Sequence, residues 1–438
     1  PFSRVNRAIR HLLVPMMAVT CMVARGQERD FQFSQVMQFP EMDFYPHVMT
    51  GLDVLEEIQL APLRGRTLAI LTNQTAVDRK GIHLLDVLAD FGEDFRVKII
   101  LSPQFGFLAH GTESVTVMRG GRDPRFDAEV KILWGRKSRP DKDDLRGVDL
   151  ILVDLQDPGI RFFTFMTTIT KVMEAAALDD IPVMVLDRPN PLNGLNIDGP
   201  NVRPPYQSVV GYHLVPIRHG LTVGEYALMV NETGWIRGAE RVRLTVVPME
   251  NWEREMWMED TDLPWIPPAP HTDDAHALLA AVGMGLLEGT NISAGLGTDL
   301  PYLQFGAPWM SSELVSRDLE RKRLPGVEFH PVTFIPDSLS RLIPHPLYRG
   351  EMCSGVGMTI TDKKSFSPLL TAATVLSVVS RHHPGKFRWV ANNYIDKLYG
   401  HDYLRIFLAQ ERNPAKLPAT WSLDVIQFSE FRKPYLLY

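Results

Sequence analysis

Four short apolar runs in the first half of the chain alternate with longer stretches in which apolar residues recur at helical spacing. The runs are 67–71, 97–101, 148–153 and 182–186. The helical stretches are 81–91, 163–178 and 221–231. Nearly continuous apolar runs rich in β-branched residues are typical of strands buried on both faces, as in parallel sheets. Because such strands alternate with amphipathic helices, we expect right-handed βαβ units and an α/β domain with a parallel sheet.

Polar residues follow each of the four apolar runs. They are Asn73 after the first, Gln104 after the second, Asp154, Gln156 and Asp157 after the third, and Asp187, Arg188 and Asn190 after the fourth. In an open α/β sheet, ligands bind just beyond the carboxyl ends of the strands. We therefore expect these side chains to lie at one edge of the sheet and to form the functional site.

The pattern changes after about residue 238, where a stretch rich in tryptophan and proline begins. Helical spacing returns at 275–287, and a glycine-rich loop is expected from Gly289 to Gly306. Other short elements predicted along the chain are strands at 131–134, 243–247, 327–334 and 355–360, a turn at 119–124 and a helix at 369–379. The predicted organisation is one α/β domain at 51–238 and a second, smaller α/β or α+β domain at 239–438.

The N-terminus has its own pattern, in which basic residues precede an apolar stretch. Arg4, Arg7 and Arg10 come before the apolar residues 12–24, and the segment Ala24-Arg25-Gly26 places small residues at the usual cleavage spacing. This order is typical of a secretory signal peptide. We expect residues 1–26 to be such a signal, residues 27–50 to be an extended lead-in, and the protein to be exported to the periplasm or the cell surface.

Composition and charge exclude several classes of partner. The chain is 45% hydrophobic and 22% charged, with a formal net charge of −6, as in ordinary globular proteins. It has no basic tract interleaved with aromatic residues, so we expect no nucleic-acid partner. No glycine-rich phosphate loop follows the first strand, so we expect no nucleotide and no cofactor. His382 and His383 lack further clustered ligands, so no metal site is expected there. Cys21 and Cys353 are the two cysteines; a lipid anchor at Cys21 is the alternative to a cleaved leader.

Several segments follow one another in the order in which they occur in a single family. They are 71–75, 154–157, 187–191, 211–220, 263–268, 288–291, 306–309 and 435–438. Through them the chain resembles the bacterial exo-β-N-acetylmuramidases, glycoside hydrolases that remove N-acetylmuramic acid from the non-reducing end of peptidoglycan fragments. The resemblance extends from about Gly51 to Tyr438. It implies a Rossmann-like first domain, a smaller second domain, and a cleft between them that binds a muropeptide or amino-sugar ligand.

The chain departs from the family pattern at two segments. The family's Ser-Pro-Glu-His-Gly is Ser102-Pro103-Gln104-Phe105-Gly106 here, so an amide replaces the glutamate favoured for catalysis. In the glycine-rich loop, residues 293–303 lack two carboxylates and two arginines of the family pattern, although Asp299 is new. His271 also stands where the resemblance leads us to expect an asparagine.

Glycoside hydrolysis usually requires two carboxyl groups, one as acid and the other as base or nucleophile. Gln104 can hydrogen-bond a sugar, but its amide has no acidic proton near neutral pH. The candidates for a relocated catalytic carboxylate are Asp154, Asp187 and Asp299, and Asp157, Glu225 and Glu288 are further carboxylates. The expected ligand-binding residues are Asn73, Gln104, Gln156, Asp157, Arg161, Arg188, Asn190, Arg218, His219 and Asn291. The resemblance suggests that His219, beside Arg218, binds an anionic lactyl group.

Most of these residues also have an ordinary structural interpretation. Asp187 can be a partner of Arg188 or a loop cap, Asp157 and Arg161 can form a local ion pair, and Asn73, Asn190 and His219 can hold loops. Thr222 and Glu225 have the spacing of a capping box. Trp252, Trp257 and Trp265 can pack between domains instead of stacking on a sugar.

Three functional hypotheses follow. In the first, the protein recognises the amino sugar but hydrolysis is impaired or lost because of Gln104. In the second, it is an active glycosidase with a relocated carboxylate. In the third, it is a non-catalytic interaction protein of the cell envelope, and side chains such as Phe105 and Leu300 fill the cleft.

Overall fold

The larger of two β-sheets contains eight strands. The computed structural model describes residues 34–36, 47–104, 106, 121–270, 272, 274–337 and 345–438. The strands are β1 (Ser34–Val36), β2 (Thr67–Thr72), β3 (Arg96–Ser102), β4 (Gly121–Asp123), β5 (Ala128–Ile132), β6 (Leu150–Asp154), β7 (Val183–Leu186) and β8 (Leu244–Val247). Their order is β1-β8-β7-β6-β2-β3-β5-β4, and every neighbouring pair is parallel except β4 and β5. The predicted parallel α/β sheet is therefore confirmed.

Helices cover both faces of this sheet. They are α1 (Gly51–Glu57), α2 (Leu84–Asp90), α3 (Lys142–Leu145), α4 (Phe165–Leu178) and α5 (Val223–Glu232). Alternate residues of one strand enter different cores: Leu71 packs in the cluster with α4 and α5, and Ile70 packs in the cluster with α1 and α2. This explains why the strands are nearly continuously apolar, since both faces of the sheet are buried.

The smaller sheet lies in the second half of the chain and is antiparallel. Its strands β9 (Gln304–Ala307), β10 (Val327–Phe334) and β11 (Cys353–Ile360) have the order β10-β11-β9. The helices of this half are α6 (Ala275–Met284), α7 (Ser312–Lys322), α8 (Pro368–His382), α9 (Tyr394–Tyr399), α10 (Tyr403–Ala409) and α11 (Ser422–Arg432). None of the helices that the structure describes is long and apolar enough to cross a membrane.

Three short elements differ from the sequence prediction. The strand expected at 131–134 lies at 128–132, because the isolated bridge from Trp134 to Lys137 already belongs to a turn. The expected turn at 119–124 contains β4, and the expected loop up to Gly306 contains β9. The domain boundary near residue 238 stays a prediction, although β8, which follows it, pairs with β7 in the larger sheet. The leader and most of the lead-in lie outside the described residues.

Candidate functional site

Asp154 and Arg188, at the ends of β6 and β7, form a buried bidentate ion pair. Arg188 donates from Nε to Oδ1 of Asp154 and from Nη2 to Oδ2 at 2.8 Å, and it also binds the carbonyl of Val77 at 2.9 Å. The void beside this pair, lined by Thr75 and Gln156, has about 10 Å³, room for about one water molecule. Both carboxylate oxygens of Asp154 therefore accept hydrogen bonds from Arg188, and the space beside them is too small for a sugar.

Asp187 lies fully buried at the end of β7 and accepts four hydrogen bonds. The donors are the backbone N–H groups of Arg188 (2.9 Å) and Gly224 (2.7 Å) and the hydroxyls of Thr222 (2.7 Å) and Tyr438 (2.8 Å). Burial raises the pKa of Asp187 to about 7, against the effect of these donors. This geometry fits the expected interpretation of Asp187 as a loop cap. The other interpretation, a side-chain pair with Arg188, does not fit, because the Arg188 guanidinium binds Asp154.

The capping box predicted for Thr222 and Glu225 is confirmed at the start of α5. Glu225 Oε2 accepts from the Thr222 N–H at 3.0 Å, and Oε1 accepts from Arg254 Nη1 at 2.6 Å. Glu225 is 0% exposed, so this carboxylate is an anchor inside the first half of the chain.

The amides at the strand tips hold loops. Asn73 Oδ1 accepts from the N–H and hydroxyl of Thr75, at 3.0 and 2.6 Å, and Gln156 Nε2 donates to the Pro189 carbonyl at 2.7 Å. Asn190 donates to the Leu221 carbonyl at 2.9 Å. All three amides are buried. The strand tips therefore come together, as expected, but their polar side chains bind the neighbouring loops and do not line a pocket for a ligand.

Asp157 and Arg161 do not form the expected local ion pair. Arg161 instead donates to the carbonyls of Pro200 (2.7 Å), Val215 (2.7 Å) and Leu398 (2.8 Å), and burial lowers its pKa to about 9. Asp157 Oδ2 accepts from the Gly159 N–H at 2.8 Å and lies 3.4 Å from His219 Nε2.

His219 and Arg218 are also buried. His219 Nδ1 accepts from the Leu221 N–H at 3.2 Å, as a loop histidine would. Arg218 donates to the Leu192 carbonyl and lies over the ring of Trp257 at 5.2 Å, and burial lowers its pKa to about 10. The contacts described for these two residues are with other residues of the protein. A role in binding a lactyl group stays a prediction.

The remaining predicted site residues lie in the second half. Asp299 is exposed, and Asn291 binds the Lys386 carbonyl at 2.9 Å and the Arg388 N–H at 2.7 Å. Neither contributes to the cavity that Gln104 lines. His271 and Phe105 lie outside the described residues.

Gln104 lines a cavity of about 300 Å³ between the two halves of the chain. The first half contributes Gln104 and Thr164, whose hydroxyl donates to Gln104 Oε1 at 3.1 Å. The second half contributes Glu288 and Leu398. The aromatic residues of the wall are Trp134, Phe162, Phe163, Phe165, Tyr302 and Tyr394. A concave, mostly apolar site with a few convergent polar groups is the usual form of a small-molecule site.

Among the described residues that line this cavity, Glu288 is the one with a carboxylate. It follows α6, in the 3-10 turn at Gly285–Gly289, and its side chain is exposed to the cavity. Desolvation by the surrounding protein raises the pKa of Glu288 to about 7, and a hydrogen bond from the Tyr302 hydroxyl at 3.3 Å opposes the shift. A carboxyl that is still partly protonated near neutral pH can act as a general acid.

The three tryptophans of the proline-rich stretch lie elsewhere. Trp252 and Trp257 are buried, and Trp265 donates from Nε1 to the Thr272 carbonyl at 2.9 Å. The aromatic wall of the cavity comes instead from Trp134, which is 42% exposed, from the phenylalanines at and just before the start of α4, and from Tyr302 and Tyr394. Sequence reasoning placed Trp134 on a strand and missed it, and the signal available was a lone large aromatic beside a polar turn.

Comparison with known proteins shows the family. The N-terminal model of exo-beta-N-acetylmuramidase NamZ matches residues 68–276, and the C-terminal model matches residues 281–438. The chain belongs to the NamZ family. Its relatives include the peptidoglycan beta-N-acetylmuramidase NamZ of Bacillus subtilis (strain 168), which is 32% identical over 393 residues, 90% of this chain and 92% of that protein. The expected resemblance is thus confirmed.

Two solved structures support the same assignment. Both are DUF1343 family proteins from Bacteroides fragilis NCTC 9343, and both are 29% identical to this chain. One has a TM-score of 0.81 and matches over 90% of this chain and 100% of its own. The other has a TM-score of 0.71 and matches over 89% and 99%. NamZ-family architecture therefore covers both halves, and the departure at Gln104 lies on the wall of the cavity between them.

Proposed function

We propose that this NamZ-family protein binds the terminal N-acetylmuramic acid of peptidoglycan fragments in the Gln104 cavity and hydrolyses its glycosidic bond slowly or not at all. One observation carries the proposal: Glu288 is the sole carboxylate among the described residues that line the cavity. Gln104 stands where the family pattern has a glutamate. The described lining of the cavity therefore supplies one of the two carboxyl groups that glycoside hydrolysis usually uses.

The shape and chemistry of the cavity suit an amino sugar. Its volume lies at the lower end of the range of small-ligand sites, which is about 300–1,000 Å³. Aromatic rings such as Trp134 offer flat apolar faces to the C–H groups of a sugar ring, while Gln104 and Tyr302 offer hydrogen-bonding groups. The named activity of the Bacillus subtilis relative supports the same substrate class.

The test is to restore the missing carboxyl group. Gln104→Glu should raise kcat on a chromogenic β-N-acetylmuraminide by on the order of 10²–10⁴-fold, the usual contribution of one acid–base group. Binding of N-acetylmuramic acid, measured by calorimetry, should already be present in the unaltered protein. The matched control is Gln427→Glu, which adds the same charge at an exposed position of α11.

Two results would overturn the proposal. One is robust hydrolysis by the unaltered protein that Gln104→Glu does not increase. The other is the absence of any heat on titration with N-acetylmuramic acid, which would favour the envelope interaction protein. That hypothesis expected Leu300 to fill the cleft, but Leu300 is 48% exposed and does not line the cavity.

A second candidate function is an active exo-acting hydrolase. The raised pKa of Glu288, about 7, favours it, because this residue can supply the acid. The second carboxyl group would then have to come from another residue. Asp154 and Asp187 are engaged in buried hydrogen bonds, which leaves the exposed Asp299 as the remaining predicted candidate. Loss of activity in Asp299→Asn would support this alternative.

Export to the periplasm or cell surface is also part of the proposal. The basic and apolar pattern of residues 1–26 supports it, and so does the peptidoglycan substrate class. Fractionation of cells that express the chain with and without residues 1–26 tests it, and retention of both forms in the cytoplasm would contradict it.

A further inference from the structure

A wide groove with a surplus of positive charge lies on the first half of the chain. It has a volume of about 910 Å³. Its cationic residues are Arg136, Lys137, Arg139, Lys142, Lys171 and Arg237, against the carboxylates Asp141, Glu174 and Asp179. The chain as a whole carries a net charge of −6, so this surface has the opposite sign to the protein that bears it.

Most of these cations are not neutralised by the carboxylates of the groove. Lys137 pairs with Asp141 at 2.9 Å. Glu174 is buried and accepts instead from the Tyr212 hydroxyl at 2.9 Å and the Arg237 N–H at 3.2 Å. Within the described part of the chain, Arg136, Arg139 and Lys142 have no ion-pair partner. These three side chains are exposed and free to bind an external anion.

Two cations are also held close together around one aromatic ring. The Arg237 guanidinium lies 3.9 Å from the centroid of Tyr212, and Lys171 Nζ lies 5.7 Å from it. Lys171 also donates to the Ser138 hydroxyl at 3.0 Å. Desolvation lowers the pKa of Lys171; the charge of Glu174 opposes this shift, and the charges of Arg237 and Arg139 add to it. A bound anion would relieve this repulsion between like charges.

The groove opens beside the Gln104 cavity. Helix α4 contributes Phe165 to the cavity and Lys171 to the groove, roughly 9 Å apart along the helix axis. A backbone bridge also joins Trp134, in the cavity wall, to Lys137, in the groove. A chain whose terminal sugar occupies the cavity can therefore continue along α4 over the basic surface.

We propose that this groove binds the carboxylates of an acidic glycan, namely the part of the peptidoglycan strand that follows the terminal sugar. The inference rests on the proposed function of the cavity. Each muramic acid residue without a stem peptide carries a free lactyl carboxylate, so a peptide-free strand presents a row of anions, and arginine forks match carboxylates in geometry. The groove thus makes the protein prefer long acidic strands over single sugars or neutral chitin oligosaccharides.

The experiment compares three probes on the full chain. They are N-acetylmuramic acid, peptide-free glycan strands with free lactyl carboxylates, and the same strands with those carboxylates amidated. The double variant Arg136→Gln with Arg139→Gln should weaken binding of the acidic strands on the order of threefold to tenfold at low salt. Its binding of the monosaccharide and of the amidated strands should not change, and the salt dependence should become shallower. The matched control is Arg317→Gln with Arg321→Gln, two exposed arginines of α7.

Three outcomes would overturn the inference. Unchanged binding of acidic strands by the groove variant, with normal monosaccharide binding, refutes the groove while the cavity proposal stands. Absence of monosaccharide binding in the unaltered protein refutes the proposed function and the groove assignment with it. Equal affinity for polyglutamate, independent of a Trp134→Ala change, shows a general polyanion surface instead of a glycan site.

Discussion

The carboxylates at the strand ends and in the cavity differ in how many donors surround them, and that difference separates anchors from reactive groups. Asp187 accepts four hydrogen bonds and Asp154 a bidentate arginine, so neither oxygen pair is free. Glu288 accepts one hydrogen bond, 3.3 Å from Tyr302, and faces a cavity. A carboxyl group can exchange a proton with a ligand only if one of its oxygens has a lone pair that no protein donor occupies.

This contrast leads to a prediction for Glu288 in the Gln104→Glu background. The raised pKa, about 7, keeps a large fraction of the carboxyl protonated near neutral pH, so activity that needs this acid should fall as the pH rises through about 7. Glu288→Gln in that background should lower kcat on the order of 10²–10⁴-fold. It should also remove the alkaline limb of the pH–rate profile of kcat.

Loss of rate alone would not establish this role, because a structural change also lowers activity. Binding of N-acetylmuramic acid should therefore be measured in the same variant and should remain within a small factor. A residual pH profile with the same alkaline limb would assign the acid to another residue.

At the residue scale, the sequence singled out Gln104 as a candidate but could not rank the carboxylates. Gln104 follows a buried strand and breaks a family motif, and both signals are local. The side-chain partners of Asp154 and Asp187 are more than 30 residues away along the chain, at Arg188, Thr222 and Tyr438. Whether a carboxylate is saturated by such distant donors is a property of the folded chain.

At the scale of elements, the polar ends of the strands stabilise the sheet edge as much as they shape a site. The Asp154–Arg188 pair ties the end of β6 to the loop after β7, and Arg188 also binds the Val77 carbonyl after β2. The rule that ligands bind at this edge predicted where polar residues meet. It could not predict that they would bind one another and leave the cavity to Gln104 and the start of α4.

Breaking this pair should destabilise the sheet edge strongly. Arg188→Ala leaves Asp154 buried and unpaired, so we expect a loss of about 3–5 kcal/mol in the free energy of unfolding, measured with urea. Replacing both residues, Asp154→Leu with Arg188→Met, should restore much of that loss because no buried charge remains.

The control is the more exposed bidentate pair of Arg405 and Asp396, at 2.7 and 3.1 Å. Arg405→Ala should cost clearly less, since the Arg405 side chain is 27% exposed and its removal opens the Asp396 carboxylate to water. If Asp154→Asn abolished activity in the Gln104→Glu background while the free energy of unfolding stayed constant, Asp154 would be catalytic instead of structural.

At the scale of the whole molecule, the last residues of the chain bind back onto the first half. Arg432 in α11 donates to the His219 carbonyl at 3.0 Å, and the Leu437 N–H donates to Glu225 at 3.0 Å. Tyr438 donates to Asp187 at 2.8 Å and accepts from the Met249 N–H at 2.7 Å. The sequence pattern predicted the two sheets because their periodicities are local, but nothing local connects Tyr438 to Asp187, 251 positions earlier.

Removal of the Tyr438 hydroxyl tests this long-range connection. Tyr438→Phe keeps the ring, which packs edge-on against Trp252 at 5.2 Å between centroids, but it removes one of the four donors to Asp187 and leaves the Met249 N–H without its acceptor. We expect a loss of about 1–3 kcal/mol in the free energy of unfolding, because buried polar groups lose their partners. Tyr435→Phe is the matched control, since the Tyr435 hydroxyl has no hydrogen bond to any described residue. Equal stability of the two variants in urea unfolding would show that the C-terminal tail only lies against the sheet. A larger loss for Tyr438→Phe would show that it secures the carboxyl end of β7.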